Sequence, residues 1–501
     1  MAAAEESQLC DFLIIGGGAA GCIVARRLAE RSQGRIILIE AGKSDEGDPK
    51  ALLLSRLDDQ SDDYDWGLAA STLPGGPASL NYSRARILGG CTNHNDCAFL
   101  IPPDSDFAEW ERRGARGWNA EALPPYFRRI EERVSVYRFE RPNPVSRAFV
   151  KAGQELGLPL VDFRQKIAPG VGWFPLNSRA DLRSSASVAY LHPLAELPRH
   201  LEVWTETTAQ RLVVAGGRVL GAESSRGTIH ARREVILTAG AFQTPQLLML
   251  SGIGPGQDLR KLGIGVVLDR TGVGKNLRDH VAAPVVWSLK SPVPPWEYTP
   301  FEAVMLATLE DDQPAPDILY HFGLRLKEKY GDHPRYSSTS NGVKASPNVT
   351  RARSTGRVSL ISSDPQAKPR IALNYLSDPE GYDLRVLIKG LRFARKLAGT
   401  DTLRPLIARE DLPGPAAQSD EELAAFIREA CETVYHASGT AAMGDPAARD
   451  TVVDPSLKVI GIEGLRVCDA SVFPSMVTVN IANTVMMVAE KAVDHILGSQ
   501  R

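Results

Sequence analysis

The chain has 501 residues, room for two to four domains at roughly 100–200 residues each, with 43% hydrophobic and 24% charged residues. That is ordinary globular usage and excludes a disordered or fibrous chain. Lys and Arg number 58 against 60 Asp and Glu, a net charge of -2, so no basic excess exists to grip a phosphate backbone, and nucleic acid is not an expected partner. No apolar run reaches the ~18 residues of a membrane span. The acidic start, Met1-Ala-Ala-Ala-Glu-Glu-Ser, leads straight into a strand and lacks the basic, then apolar, pattern of a leader, so a cytoplasmic protein is expected. Six scattered cysteines form no Cys-x-x-Cys pair; buried free thiols and no metal site are expected.

In chain order, Asp11–Ile15 reads as a buried parallel strand, Cys22–Glu30 as a helix and Arg35–Ile39 as a second strand ending at Glu40. Between the first two lies Gly16-Gly-Gly18-Ala-Ala-Gly21, a Gly-x-Gly-x-x-Gly turn. Gly16 makes the tight turn, Gly18 lets the backbone approach a pyrophosphate, and Gly21 lets helix and strand pack closely. The helix N-terminus offers free N–H groups. Glu40, 19 residues beyond Gly21, suits a ribose diol. The unit predicts a dinucleotide site and leaves NAD(P) or FAD open. Leu201–Thr207, Arg211–Val214 and Val219–Ser224 read as strands, Glu380–Ala398 and Asp420–Cys431 as helices, and Pro292–Pro300 as a loop.

Three later stretches narrow the choice. They are Arg84–Cys97, with Leu88-Gly89-Gly90-Cys-Thr-Asn-His94-Asn95; Thr238–Pro255; and a C-terminal set of Tyr435-His436-Ala-Ser-Gly, Asp469-Ala470-Ser-Val-Phe-Pro and Val479-Asn480-Ile-Ala-Asn. With the first motif they resemble the glucose-methanol-choline oxidoreductases, from about Asp11 to Ile496. Ser346–Thr350, Asp378–Asp383, Thr433–His436 and Val477–Asn480 are similar to the choline-oxidase branch of that family.

The resemblance implies an α/β fold: a Rossmann-like FAD-binding domain interleaved with an antiparallel-sheet substrate domain. The expected division is 1–154, 196–300 and 434–501 for FAD, and 155–195 and 301–433 for substrate. It implies FAD as cofactor, with Gly16, Gly18, Gly21, Glu40, Gly89, Gly90, His94, Asn95, Asp469 and Ala470 around it, and His94 bonded covalently to the flavin. It implies oxidation of a primary alcohol to the aldehyde by hydride transfer to flavin N5, with O2 reduced to H2O2. His436 would aid alkoxide formation and Asn480 would place the alcohol. A further active-site His is expected at His333, while His321, alternating with apolar residues, reads as structural.

By resemblance Glu302 matches a carboxylate that holds a cationic head group, and Val434 a small apolar residue near the oxygen site, beside Tyr435. Two positions depart from the branch. Arg56 stands where it has a tryptophan, and Asp96 where it has a serine. An arginine repels a quaternary ammonium that an aromatic face attracts. Arg56 and Asp96 are expected to pair in a pocket for a polar, amine-bearing alcohol rather than for choline. Choline oxidation, a dehydrogenase with another acceptor, and a hydroxynitrile lyase on the same fold stand as alternatives. A homodimer is left open.

Overall fold

The computed structural model describes residues 8–60, 62–325 and 341–498. The first sheet begins with the strand Leu9–Ile15, whose last four residues are buried. It pairs in parallel with Ile36–Ile39 on one side and Gly227–Leu237 on the other. Leu201–Trp204 extends the first edge, and Leu465–Val467 pairs with Gly227–Leu237, both in parallel. A run such as Ile36-Ile-Leu-Ile, apolar at every position, suits a strand covered on both faces. One cover is the helix Ala19–Arg31. It packs against the C-terminal helix Ala482–Gly498, to which Arg27 is tied by a 2.9 Å ion pair with the buried Glu490. Ala209–Ala215 and Arg218–Ser224 add an antiparallel extension through the Gly216-Gly217 turn.

The second sheet is antiparallel. Its order is Ile407–Leu412, Val285–Leu289, Gly342–Val349, Ile318–Gly323, Phe301–Ala307 and Gly170–Trp173. Val281–Ala282 and Glu432–Thr433 join it at one end. Helix Tyr382–Ala398 lies behind it. A Cβ at Gly390 would meet Ile318 Cδ1 at 2.3 Å, so the missing side chain sets that approach. Helix Pro144–Glu155 packs alongside, with the Phe149 and Phe322 rings stacked 4.3 Å apart.

The expected helices end within two residues of the observed ones, Tyr382–Ala398 and Asp420–Ala430. The second is started by a capping box between Ser419 and Glu422. All six cysteines are free thiols. Among the described residues no helix is long and apolar enough to cross a membrane.

Candidate active site

A cavity of about 770 Å³ runs between the two sheets, from Gly16 and Glu40 at one end to His436 and Asn480 at the other. At the glycine end the backbone is bare. Gly16 has φ +108°, and a Cβ on Gly21 would sit 1.9 Å from Gly16 O, so helix and turn touch there. Around the missing Cβ of Gly18, which lines the cavity, no atom lies nearer than Gly90 Cα at 4.0 Å. This open cradle, at the start of helix Ala19–Arg31, fits a pyrophosphate. Glu40 accepts from Gly17 N at 2.8 Å and Gly42 N at 2.7 Å, so it also holds the glycine turn in place. Burial pushes its carboxyl up to about 7.

Gly90, Asn95, Asp469 and Ala470 line the cavity. Asp469 spends both oxygens on Gly240 N, Thr244 Oγ1 and the Ser471 N–H and hydroxyl. It therefore fixes the start of helix Gly240–Leu250 at the cavity wall. Gly89 does not line the cavity. Its N–H donates to Gly17 O at 2.7 Å, and a Cβ there would lie 2.3 Å from Asn93 Nδ2. Its part is to press this segment onto the glycine turn. His94 faces the cavity, with Nε2 2.8 Å from Ser83 Oγ and 3.6 Å from Asp65. Burial raises the Asp65 carboxyl, but hydrogen bonds from His94 and Ser83 outweigh it and leave it lowered.

The far end is built around imidazoles. His436 Nδ1 lies 2.7 Å from His280 Nδ1, and His436 Nε2 3.2 Å from Asn480 Nδ2. His280 Nε2 sits 2.9 Å from Thr350 O and 2.8 Å from Val477 O. Carbonyls only accept, so His280 carries its proton on Nε2. Its Nδ1 is then an acceptor, and the proton between the two rings belongs to His436 Nδ1. The lone pair of His436 is left on Nε2, facing Asn480 and the cavity. Burial, then the neighbouring His280, His321 and Arg84, hold the His436 pKa well below its usual value, so the ring is neutral. Behind it, buried Asp279 accepts from the backbone N–H of both His280 and His436 at 2.9 Å, and from Tyr82, Tyr375 and Thr433 hydroxyls.

His321 corrects the sequence expectation. It lines the cavity, its Nε2 is 3.4 Å from Asn480 Nδ2, and burial pushes it down to about 3. Alternation along the strand did place it on one face, but that face is the cavity wall. Asn480 is not a helix cap: its amide bridges His436 and His321, and its Oδ1 is buried with no partner among the described residues. His333 lies outside the described residues.

Two substrate-pocket expectations fall elsewhere. Arg56 sits in the 3-10 helix Leu54–Asp59, whose period of three turns Leu54 and Leu57 inward. Arg56 is exposed, ion-paired with Asp59 rather than Asp96, and does not line the cavity. Glu302 is fully buried, but a bulge between Phe301 and Ala303 shifts the alternation. Phe301 takes the cavity wall, and Glu302 accepts from Asn143 N at 2.8 Å, at the start of helix Pro144–Glu155. Asp96, Val434 and Tyr435 do line the cavity. Tyr435 has φ +65°, and its carbonyl accepts from half-buried Arg84, so the backbone entering His436 is held in the left-handed region. The wall here also carries Lys344 and Glu432, paired at 2.6 Å. His280 and Asp279 carried no spacing signal in the sequence, and Arg84 entered only as the first residue of the Arg84–Cys97 stretch.

The family models for GMC oxidoreductases match residues 10–282 with the N-terminal part and 352–489 with the C-terminal part. The chain is 38% identical to choline oxidase from Arthrobacter globiformis, over 97% of this chain and 93% of that protein. It is 34% identical to an oxygen-dependent choline dehydrogenase from Rhizobium rhizogenes, over 98% and 96%. Pyridoxine 4-oxidase from Mesorbium loti superposes with TM-score 0.88 at 27% identity, over 97% of this chain and 98% of that one. The bare glycine cradle, the acid at its end and the two-sheet cavity all fit FAD. The chain therefore belongs to the glucose-methanol-choline (GMC) oxidoreductases and is an FAD-dependent enzyme acting on CH–OH donors.

Proposed function

We propose that the protein oxidises a polar primary alcohol to the aldehyde, with His436 as the base and O2 as the final electron acceptor, reduced to H2O2. The observation that carries the reading is the lone pair on His436 Nε2, fixed by the His280 carbonyl contacts and aimed at the cavity. A substrate hydroxyl donates its proton to that atom. Asn480 Nδ2, which already reaches both imidazoles, donates to the alkoxide oxygen. Asn480 Oδ1 accepts a second hydrogen bond from the substrate. When bound, FAD supplies the hydride acceptor, its N5. Because His436 is neutral at the start, it gains the hydroxyl proton without a prior deprotonation.

For the cofactor we propose covalent attachment through His94, which faces the cavity within reach of Ser83 and Asp65. For the substrate, the wall offers Asp96 and the Lys344–Glu432 pair, and Glu302 is turned away. Such groups stay satisfied when they meet hydroxyls or amines, which trimethylammonium does not offer. Polyhydroxylated and amino alcohols are therefore the better substrates, and choline is a poor one. Small apolar Val434 in the lining supports O2 as acceptor, as do the oxidases among the relatives.

The test is oxygen uptake and peroxide release by the FAD-loaded enzyme with choline, an amino alcohol, a polyol and benzyl alcohol. Peroxide in step with amino-alcohol or polyol oxidation is the expected result. Flavin bleaching without peroxide would replace O2 by another acceptor. No bleaching with any alcohol would overturn the reading, and efficient choline turnover would overturn the substrate assignment.

A further inference from the structure

A second cleft, of about 470 Å³, opens on the far side of the wall that holds His280. Three segments that grip His280 continue into it. Arg278 lies two residues before His280 and is bridged by backbone hydrogen bonds to Ser438. Arg351 and Ala352 follow Thr350, and Ser475 and Met476 precede Val477, the two residues whose carbonyls accept from His280.

The cleft is strongly basic. Among the described residues five arginines line it: Arg112, Arg113, Arg278, Arg351 and Arg353. Four are on carboxylates. Arg112 and Arg113 share Glu109 at 2.6 Å, Arg351 pairs with buried Asp106, and Arg353 with Glu380. Arg278 is the exception and the most buried, at 9% exposure. Its Nε donates to Asn276 Oδ1 at 3.0 Å and an Nη to Ala352 O at 3.3 Å. Among the described residues no carboxylate stands within ion-pair distance of it. Burial, then Arg113, pushes its guanidinium down to about 10. A buried charge left on neutral acceptors is costly unless an opposite charge meets it. Ser475, another residue of the cleft wall, is 6% exposed, and its hydroxyl has no hydrogen-bond partner among the described residues. Asp383, whose oxygens accept from Arg353 N and Ser354 N, and Glu109 act on Arg278 only from beyond ion-pair distance.

We propose that this cleft binds a small organic carboxylate, with the Arg278 guanidinium as its charge partner and the Ser475 hydroxyl as a hydrogen-bond donor. A planar guanidinium with no carboxylate in ion-pair distance meets an incoming carboxylate in a bidentate pair. The site is separate from the alcohol cavity and shares only its rear wall.

Acetate is the probe, added to the FAD-loaded enzyme at constant ionic strength with chloride as the balance. The expected result is a saturable rise in Tm, of about 1–3 °C at tenfold the half-saturating concentration. Arg278→Gln should abolish the rise. Ser475→Asp places a carboxylate on the wall of the cleft that Arg278 also lines. It should raise Tm without acetate and remove the acetate response, which keeps the test decisive if Arg278→Gln does not fold. No saturable rise in the wild type, an unchanged rise in Arg278→Gln, or a Ser475→Asp protein less stable than wild type would each overturn the proposal. A response to inorganic phosphate but not to acetate would overturn the carboxylate assignment. A Tm that follows protein concentration instead of acetate would give the charge to a second copy of the chain and overturn it as well.

Discussion

At the scale of single residues, the proposed chemistry turns on the direction of one proton. Thr350 O and Val477 O fix the His280 proton, His280 fixes that of His436, and a basic nitrogen remains in the cavity. A histidine whose pKa is lowered is neutral above that value and protonated only below it. The base form is therefore complete at neutral pH and is lost as pH falls through a value below the ordinary 6.5. The rate of flavin reduction should be flat from about pH 6.5 upward and fall only in more acid buffer. Anaerobic stopped-flow across pH 5–9 checks this; a midpoint above 7 would contradict the neutral, desolvated ring. His94 belongs to the same scale. After acid precipitation the yellow colour should stay with wild-type protein and move to the supernatant with His94→Ala, which still binds FAD through the glycine turn. Free flavin from the wild type would refute the covalent link.

At the scale of elements, much was legible, because glycine and apolar periodicity report backbone geometry directly. Gly16, Gly18 and Gly21 announced a strand–turn–helix, and the structure has Leu9–Ile15 followed by Ala19–Arg31. Gly21→Ala should abolish FAD retention, because the new Cβ would lie 1.9 Å from Gly16 O and something must shift. Flavin absorbance of the purified variant measures it. Side-chain direction was less legible. The Phe301–Ala303 bulge adds one residue to a strand, and that residue's face then cannot be counted from alternation. The same holds for Arg56, whose outward turn depends on a 3-10 period in Leu54–Asp59. Since Glu302 faces Asn143, Glu302→Gln should change the kcat/KM ratio of cationic to neutral alcohols by less than about threefold, a factor worth under about 1 kcal/mol. A selective loss of cationic substrates of tenfold or more would return Glu302 to the pocket.

At the scale of the whole molecule, the cavity exists because two sheets made from distant stretches of chain face each other. His436 and Asn480 stand 44 residues apart in sequence, and His280 a further 156 before His436, yet they form one hydrogen-bonded cluster. His436 and Asn480 were readable through motifs that the family resemblance carries. His280 and Asp279 were not, because a buried positioning pair leaves no spacing pattern in a single sequence. His321 was seen, but a strand face turned to a cavity looks like one turned to a core. The most direct measurement is anaerobic mixing of the FAD-loaded enzyme with whichever alcohol of the panel reduces the flavin fastest, followed by flavin absorbance, for wild type and His436→Ala. The account predicts rapid bleaching in the wild type and a rate lower by about 10²–10⁴-fold in the variant, with flavin content unchanged. Bleaching of His436→Ala within a few fold of wild type would contradict it.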